Sequence, residues 1–260
     1  MKRVIVYPDM NLPYASYYMA GLYQLFGKDN VRFASVKELQ LFPVKSGLLL
    51  FLVYTAENEF KKICIDYNDS NELKNQVVYD WSDIYGKVNT NFDKTPLDRF
   101  RKIKVLGPNF GIRILSFPES FTLSIKNYFI LHPANSKKFF LSFFKQNRKL
   151  YISEYPLSQA KKNYVFSLNT LWHSDEWNKL NETTNKVRAD FMETCLELED
   201  IRFEGGFVPS MLGNNEFKHL QVQKSVSQSE YIEKLRKSVV VFNTPAVWNC
   251  HGWKLGEYLC

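Results

Sequence analysis

The chain has 260 residues, 45% hydrophobic and 23% charged, with 34 Lys and Arg against 27 Asp and Glu and a formal net charge of +7. At about 150 residues per domain this predicts one large or two modest globular domains and excludes a chain disordered throughout. The longest apolar run, Leu48 to Val53, falls far short of the roughly 20 residues of a spanning helix, and the positive balance points to a polyanionic partner or an anionic surface.

Behind Met1-Lys2-Arg3 the apolar stretch ends at Pro8, too short for a secretory h-region of at least about 7 residues, so Lys2 to Tyr7 reads as a first strand. A polar loop follows, then a helix from Tyr14 to Phe26 closed by Gly27, then a strand at Val31 to Ala34. This strand–loop–helix–strand order opens a Rossmann-like α/β unit. Leu48 to Tyr54 and Lys62 to Asp66 are further strand candidates, and Gln76 to Tyr79 and Lys102 to Leu106 are expected to continue the alternation. Phe129 to Leu131 is another short apolar run, stopped by His132-Pro133.

From Asn135 to Lys149 a helix is expected. Phe139, Phe140, Phe143 and Phe144 fall on one face, while Lys137, Lys138, Lys145, Arg148 and Lys149 lie mostly on the other. Such a helix either rests on an anionic membrane surface or covers its own sheet. Residues 151–162 read as a linker. Beyond it come a strand at Tyr164 to Leu168, a helix at Thr184 to Leu198, a strand at Ile201 to Phe203 and a Gly205-Gly206 turn. A helix at Ser229 to Lys237 and a fully buried strand at Val239 to Phe242 follow. A last helix begins near Trp253 and is still running at Cys260, which predicts a chain truncated within its second domain. The expected domains are 1–155 and 156–260.

Several chemistries lack their residues. No two aspartates are separated by a single residue, as the metal-binding motif of one class of sugar transferases requires. GxxxxGK[ST], GxGxxG and GxSxG are missing, and the four histidines are scattered. The four cysteines form no CxxC pair, which fits reduced thiols in a cytoplasmic protein and no structural zinc.

The last segment, VVVFNTPAVWNCHGWKLGEYLC from Val239 to Cys260, is the informative one. It reads as a strand, a polar turn, a glycine at a helix start and a carboxylate one turn in. Loops at the carboxyl ends of parallel strands bind ligands in open α/β sheets, and exposed N–H groups at a helix start attract phosphate. This stretch resembles the donor-nucleotide region of GT-B glycosyltransferases, and within them a bacterial surface-polysaccharide subgroup, through Asn243-Thr244-Pro245, His251-Gly252-Trp253-Lys254 and Glu257. Glu257 matches the second of two helical acids in that family, the one that holds the nucleotide ribose. Asn249 stands where the first is expected, an amide still able to bond sugar hydroxyls.

The resemblance implies two Rossmann-like domains facing a cleft, the second incomplete here. It implies metal-independent transfer of a sugar from a nucleotide-sugar donor to a glycan or lipid-linked acceptor, with no cofactor. Donor contacts would come from Asn243, Thr244, Asn249, His251, Gly252, Lys254 and Glu257, joined by Thr170, His173, Arg188, Gly205 and Gly206 of the second domain. Asn11, Pro13 and Tyr14 would lie on the acceptor side. Asp80 or Asp83 at the end of an expected strand could act as general base if desolvated, and His132 is a further candidate. The protein would work in the cytoplasm, with a peripheral membrane contact through 137–149 and no nucleic acid as partner. The rival reading is a non-catalytic basic α/β protein that binds single-stranded nucleic acid.

Overall fold

The structure is a computed structural model. It describes residues 3–39, 47–73, 75–90, 101–130, 133–155, 159–172, 178–208, 217–224, 226–246 and 249–260. The chain is α/β and divides into two compact units, Met1–Ile152 with Ala246–Leu259, and Ser153–Pro245 with Cys260.

The first unit is built on a sheet of six described strands: β1 (Arg3–Val6), β2 (Val31–Phe33), β3 (Leu48–Tyr54), β4 (Phe60–Asp66), β5 (Ile84–Lys87) and β6 (Ile103–Val105), in the order β2-β1-β3-β4-β5-β6. The sheet is mostly parallel. Only β3 runs against its neighbours, with Val4 opposite Val53 and Leu50 opposite Cys64. Its unbroken hydrophobic sequence follows from that central place, because both faces are covered. Leu49, Phe51 and Val53 join one core with Val4, Val6 and the α1 (Leu12–Phe26) residues Ala15, Met19 and Leu22. Leu48, Leu50 and Leu52 join the other with Ile5, Tyr85 and, from α2 (Gln76–Trp81), Val78 and Tyr79. Each of the Val, Leu, Ile, Phe and Met side chains among them contributes about 1.5–3 kcal/mol by burial.

Gln76–Tyr79, expected to continue the strand alternation, is helical, and so is the described part of the apolar run that begins at Phe129. At Gln76–Trp81 the Asn75 side chain accepts from the Val78 N–H at 3.0 Å. That cap starts a short helix that buries Val78 and turns Val77 outward, so capping outweighs the β preference of adjacent valines. Phe129 belongs to the end of α3 (Phe117–Ile130), started by a capping box in which the Glu119 carboxylate accepts from the Ser116 N–H at 2.7 Å.

The basic aromatic helix is α4 (Pro133–Lys145). Phe143 is fully buried in the first core, edge-on to Phe33 at 5.4 Å. Phe143 therefore packs on the protein's own sheet, while Phe140 and Phe144 meet Tyr128 and Phe117 of α3.

The second unit has a parallel pair among its described residues, β7 (Tyr164–Thr170) and β8 (Arg202–Val208), with α5 (Asn178–Glu197) and α6 (Gln228–Lys237). Ser227 caps α6 by accepting from the Glu230 N–H at 3.2 Å. Gly205 and Gly206 do not form a turn. They lie inside β8 at φ 136° and 141°, where a Cβ would come within 1.9 Å of the Ser167 carbonyl oxygen and 2.2 Å of that of Leu220.

The expected strand at Val239–Phe242 is not one either. Val239, Val240 and Val241 are exposed, and one ladder-like bond, Val239 N–H to Tyr164 O at 2.8 Å, joins the segment to β7. Ser238 is the physical reason, because its hydroxyl accepts from the Phe166 N–H and donates to the Val240 carbonyl, replacing the ladder.

The closing helix α7 spans Trp253–Tyr258 and lies with the first unit, not in a second domain. Cys250 is buried in the first core, Trp253 packs edge-on to Tyr14 at 4.3 Å, and a Cβ on Gly256 would meet Phe110 at 2.9 Å.

Candidate functional site

β1, β4 and β5 point the same way, so the residues after them gather at one edge of the sheet, the edge where open α/β sheets place ligands. Asp66 ends β4 and Lys87 ends β5, and both are buried, at 0% and 2% side-chain exposure. The Lys87 ammonium lies 3.0 Å from Asp66 Oδ2 and donates to the Ser70 carbonyl at 2.8 Å. The same carboxylate accepts from the Tyr85 hydroxyl at 2.8 Å and, through Oδ1, from the Asn68 N–H at 3.1 Å and amide at 2.9 Å. Paired with each other and bonded to Asn68 and Ser70, Asp66 and Lys87 anchor the loop 67–70.

That loop forms one wall of a pocket of about 210 Å³ lined by Asn11, Tyr14, Gly47, Tyr67, Asn68 and Asp69. The Tyr67 hydroxyl accepts from the Asn11 N–H at 3.1 Å, tying the loop to the start of α1. Tyr14 stacks on Tyr67 with ring centroids 6.3 Å apart and meets Trp253 edge-on at 4.3 Å. Its backbone oxygen accepts from the Asn109 amide at 2.8 Å. Lys149 sits 5.0 Å from the centre of the Trp253 ring. Glu257 lies close to Lys149 and Lys254, and burial raises its carboxyl while those cations pull it back.

Asp9, just beyond β1, is 6% exposed. Burial pushes its carboxyl up to about 7 against the opposing pull of Lys138, and its charge acts on Tyr67. Burial and the nearby Asp69 push the Cys250 thiol up to about 12, which leaves it unreactive.

The chain matches no family model, no curated protein and no solved structure.

Of the acceptor-side residues, Asn11 and Tyr14 line the pocket, while Pro13 is buried in the first turn of α1. Asp80 is exposed and accepts from the Gln76 amide at 2.7 Å; Asp83 accepts from the Lys62 N–H at 2.8 Å just before β5. Asp83 and its partner thus stand at the amino ends of β5 and β4, the opposite edge of the sheet from the pocket. Asp9 has the buried carboxylate that a base needs. It directly follows the first strand and precedes the first helix, and the strand-edge rule alone could have singled it out.

In the second unit, Thr170, Arg188 and Thr244 do come together. The Arg188 guanidinium donates to Thr244 Oγ1 and to the Thr170 carbonyl, both at 3.0 Å, and lies 4.5 Å from the Trp172 ring centre. Asn185 holds the Trp172 backbone by two bonds, at 3.1 and 3.0 Å. Asn243 adjoins this group in sequence and is half-buried. Gly205 and Gly206 serve backbone packing, as their close approaches show.

Lys254 and Glu257 lie with the first unit, and His251 and Asn249 are exposed, Asn249 at φ 57°. Gly252 is the N-cap of the six-residue helix α7. His132 and His173 lie outside the described residues. Among those residues no cluster of His, Cys, Asp and Glu is arranged to hold a metal.

Proposed function

We propose that this chain is a glycosyltransferase of the two-domain GT-B kind, moving a sugar from a nucleotide-sugar donor to a hydroxyl of a glycan or lipid-linked acceptor without a metal. The observation that carries this reading is the pocket at the carboxyl edge of the first sheet. The exposed Tyr14 ring, stacked on the buried Tyr67, together with the Asn11 amide and the Asp69 carboxylate, is what a sugar ring asks for, flat apolar contact beside hydroxyl-bonding groups. Asp9, just beyond β1 at the same carboxyl edge of the sheet, has a carboxyl that burial raises to about 7, which suits it to take the proton of an attacking hydroxyl. The resemblance of the last segment to GT-B donor regions supports the nucleotide-sugar half. Thr170 at the end of β7 and Thr244, both bonded by Arg188, with Asn243 beside Thr244 in sequence, are the donor-side candidates of the second unit. Lys254 and Glu257 remain donor candidates through the resemblance alone.

Calorimetric titration of the full chain with nucleoside diphosphates, nucleotide-sugars and a saccharide panel tests the reading. Saccharide binding is expected to weaken about tenfold or more in Tyr14→Ala, the loss of one stacking and orienting contact, while nucleotide binding is kept. Asp9→Asn is expected to retain both ligands and lose about 10²–10⁴ in transfer rate. A chain that binds neither ligand class, or a Tyr14→Ala protein indistinguishable from the parent, refutes the proposal.

A further inference from the structure

Helix α3 is built inside out. Its buried positions are Ser120, Ser124 and Asn127, while Phe117, Phe121, Ile125 and Tyr128 are exposed, the reverse of a helix that covers a core in water. The exposed four recur at intervals of four, four and three residues, which is one stripe along one face, and Phe129, 79% exposed, extends it. The polar face turns toward α4. Ser120 Oγ donates to the Phe143 carbonyl at 2.5 Å, and Ser124 Oγ donates to the Ser120 carbonyl at 2.7 Å. Small polar residues at the seam with apolar residues outside is the pattern of helices packed in apolar surroundings.

The surface continues across the seam. Phe117 meets Phe144 of α4 edge-on at 5.9 Å, and Tyr128 meets Phe140 at 6.5 Å. Beyond them α4 exposes Leu141 between Lys137 and Lys145. From Phe117 to Arg148 the sequence carries five Lys or Arg and one acid, Glu119, whose carboxylate is engaged by Lys28 at 2.5 Å. Cations therefore dominate the charge of α3 and α4, with the exposed Lys137 and Lys145 beside Leu141. None of the described helices is long and apolar enough to cross a membrane.

We propose that the α3–α4 hairpin lies flat on an anionic phospholipid surface, with Phe117, Phe121, Ile125 and Tyr128 entering the acyl boundary and the α4 lysines meeting lipid phosphates. The charge distribution selects this occupant. A second copy docked by the same face would bring two basic rims together, whereas an anionic bilayer satisfies rim and stripe at once. The inference does not depend on the reaction proposed for the pocket.

Cosedimentation of the full chain with extruded vesicles tests it, comparing phosphatidylcholine alone with phosphatidylcholine containing about 30% phosphatidylglycerol. Binding is expected on the anionic vesicles, falling about tenfold or more in Phe121→Ser/Ile125→Ser and by a similar factor in Lys137→Glu/Lys145→Glu. All four side chains are exposed, so circular dichroism of both variants should match the parent. Lys138 is left in place because its charge acts on Asp9. The proposal is overturned by absence of binding to anionic vesicles or by equal binding to neutral ones. It is equally overturned if a concentration-dependent dimer, dissolved by Phe121→Ser, forms where lipid is not bound.

Discussion

Replacing Asp9 by Asn isolates the cost of burying a carboxylate, because the amide keeps the shape and cannot ionise. The Asp9 carboxyl is held near 7 by burial where its ordinary value is 3.8, so ionising it in the fold costs about 4 kcal/mol, at 1.36 kcal/mol per pH unit. The folded value is raised, so this group's contribution to stability is fully present below about pH 4 and is lost as pH climbs to about 7. The amide of the variant has no such dependence. The stability of Asp9→Asn relative to the parent should therefore widen by about 3 kcal/mol between pH 5 and pH 8, then level off. Urea denaturation of both proteins at several pH values reads this directly, since groups that titrate alike in both cancel in the difference. A carbon-detected titration of the Asp9 carboxyl supplies the midpoint independently. Parallel stability curves, together with a carboxyl titrating near 4, would show that water reaches Asp9. Its role as a base would fall with them.

Three further outcomes follow from the described contacts. Lys87→Met strands the buried Asp66 carboxylate and should cost about 3–5 kcal/mol by denaturant titration; a loss below about 1 kcal/mol would mean the pair is hydrated. Asn127 is buried with neither amide atom hydrogen-bonded, so Asn127→Leu, its branched isostere, should stabilise by about 1–3 kcal/mol, and a lowered melting temperature would contradict this. Gly205→Ala drives a Cβ into the Ser167 carbonyl at a positive φ and should destabilise the second unit by at least about 2 kcal/mol, seen as faster amide exchange along β7 and β8.

Much of the fold was written in local pattern. β1, β3, α1 and α6 could be read because their apolar periods and end signals agree, as with Gly27 after α1 and Ser227 before α6. The capping box at Ser116 and Glu119 was also legible, yet the phenylalanines beyond it look like strand material when taken alone. Within the candidate site, Asn11 and Tyr14 were accessible because the loop after a first parallel strand is a known place for ligands. Asp69 and Tyr67 carry no motif. They reach the pocket through an ion pair between the ends of two strands 21 residues apart, a pairing no sequence window contains.

By itself, then, the sequence determined that this is an α/β protein, basic and rich in aromatics, with amphipathic helices set between short apolar strands. Periodicity and capping are properties of neighbours along the chain, and they survive without knowledge of the fold. Only the tertiary structure decided that β3 runs against its sheet and that the final Trp253 helix lies with the first unit. It alone showed that α3 turns its serines inward and its phenylalanines out. Each of these depends on which distant surface covers a residue, and burial by a distant surface is the one quantity that local pattern cannot carry.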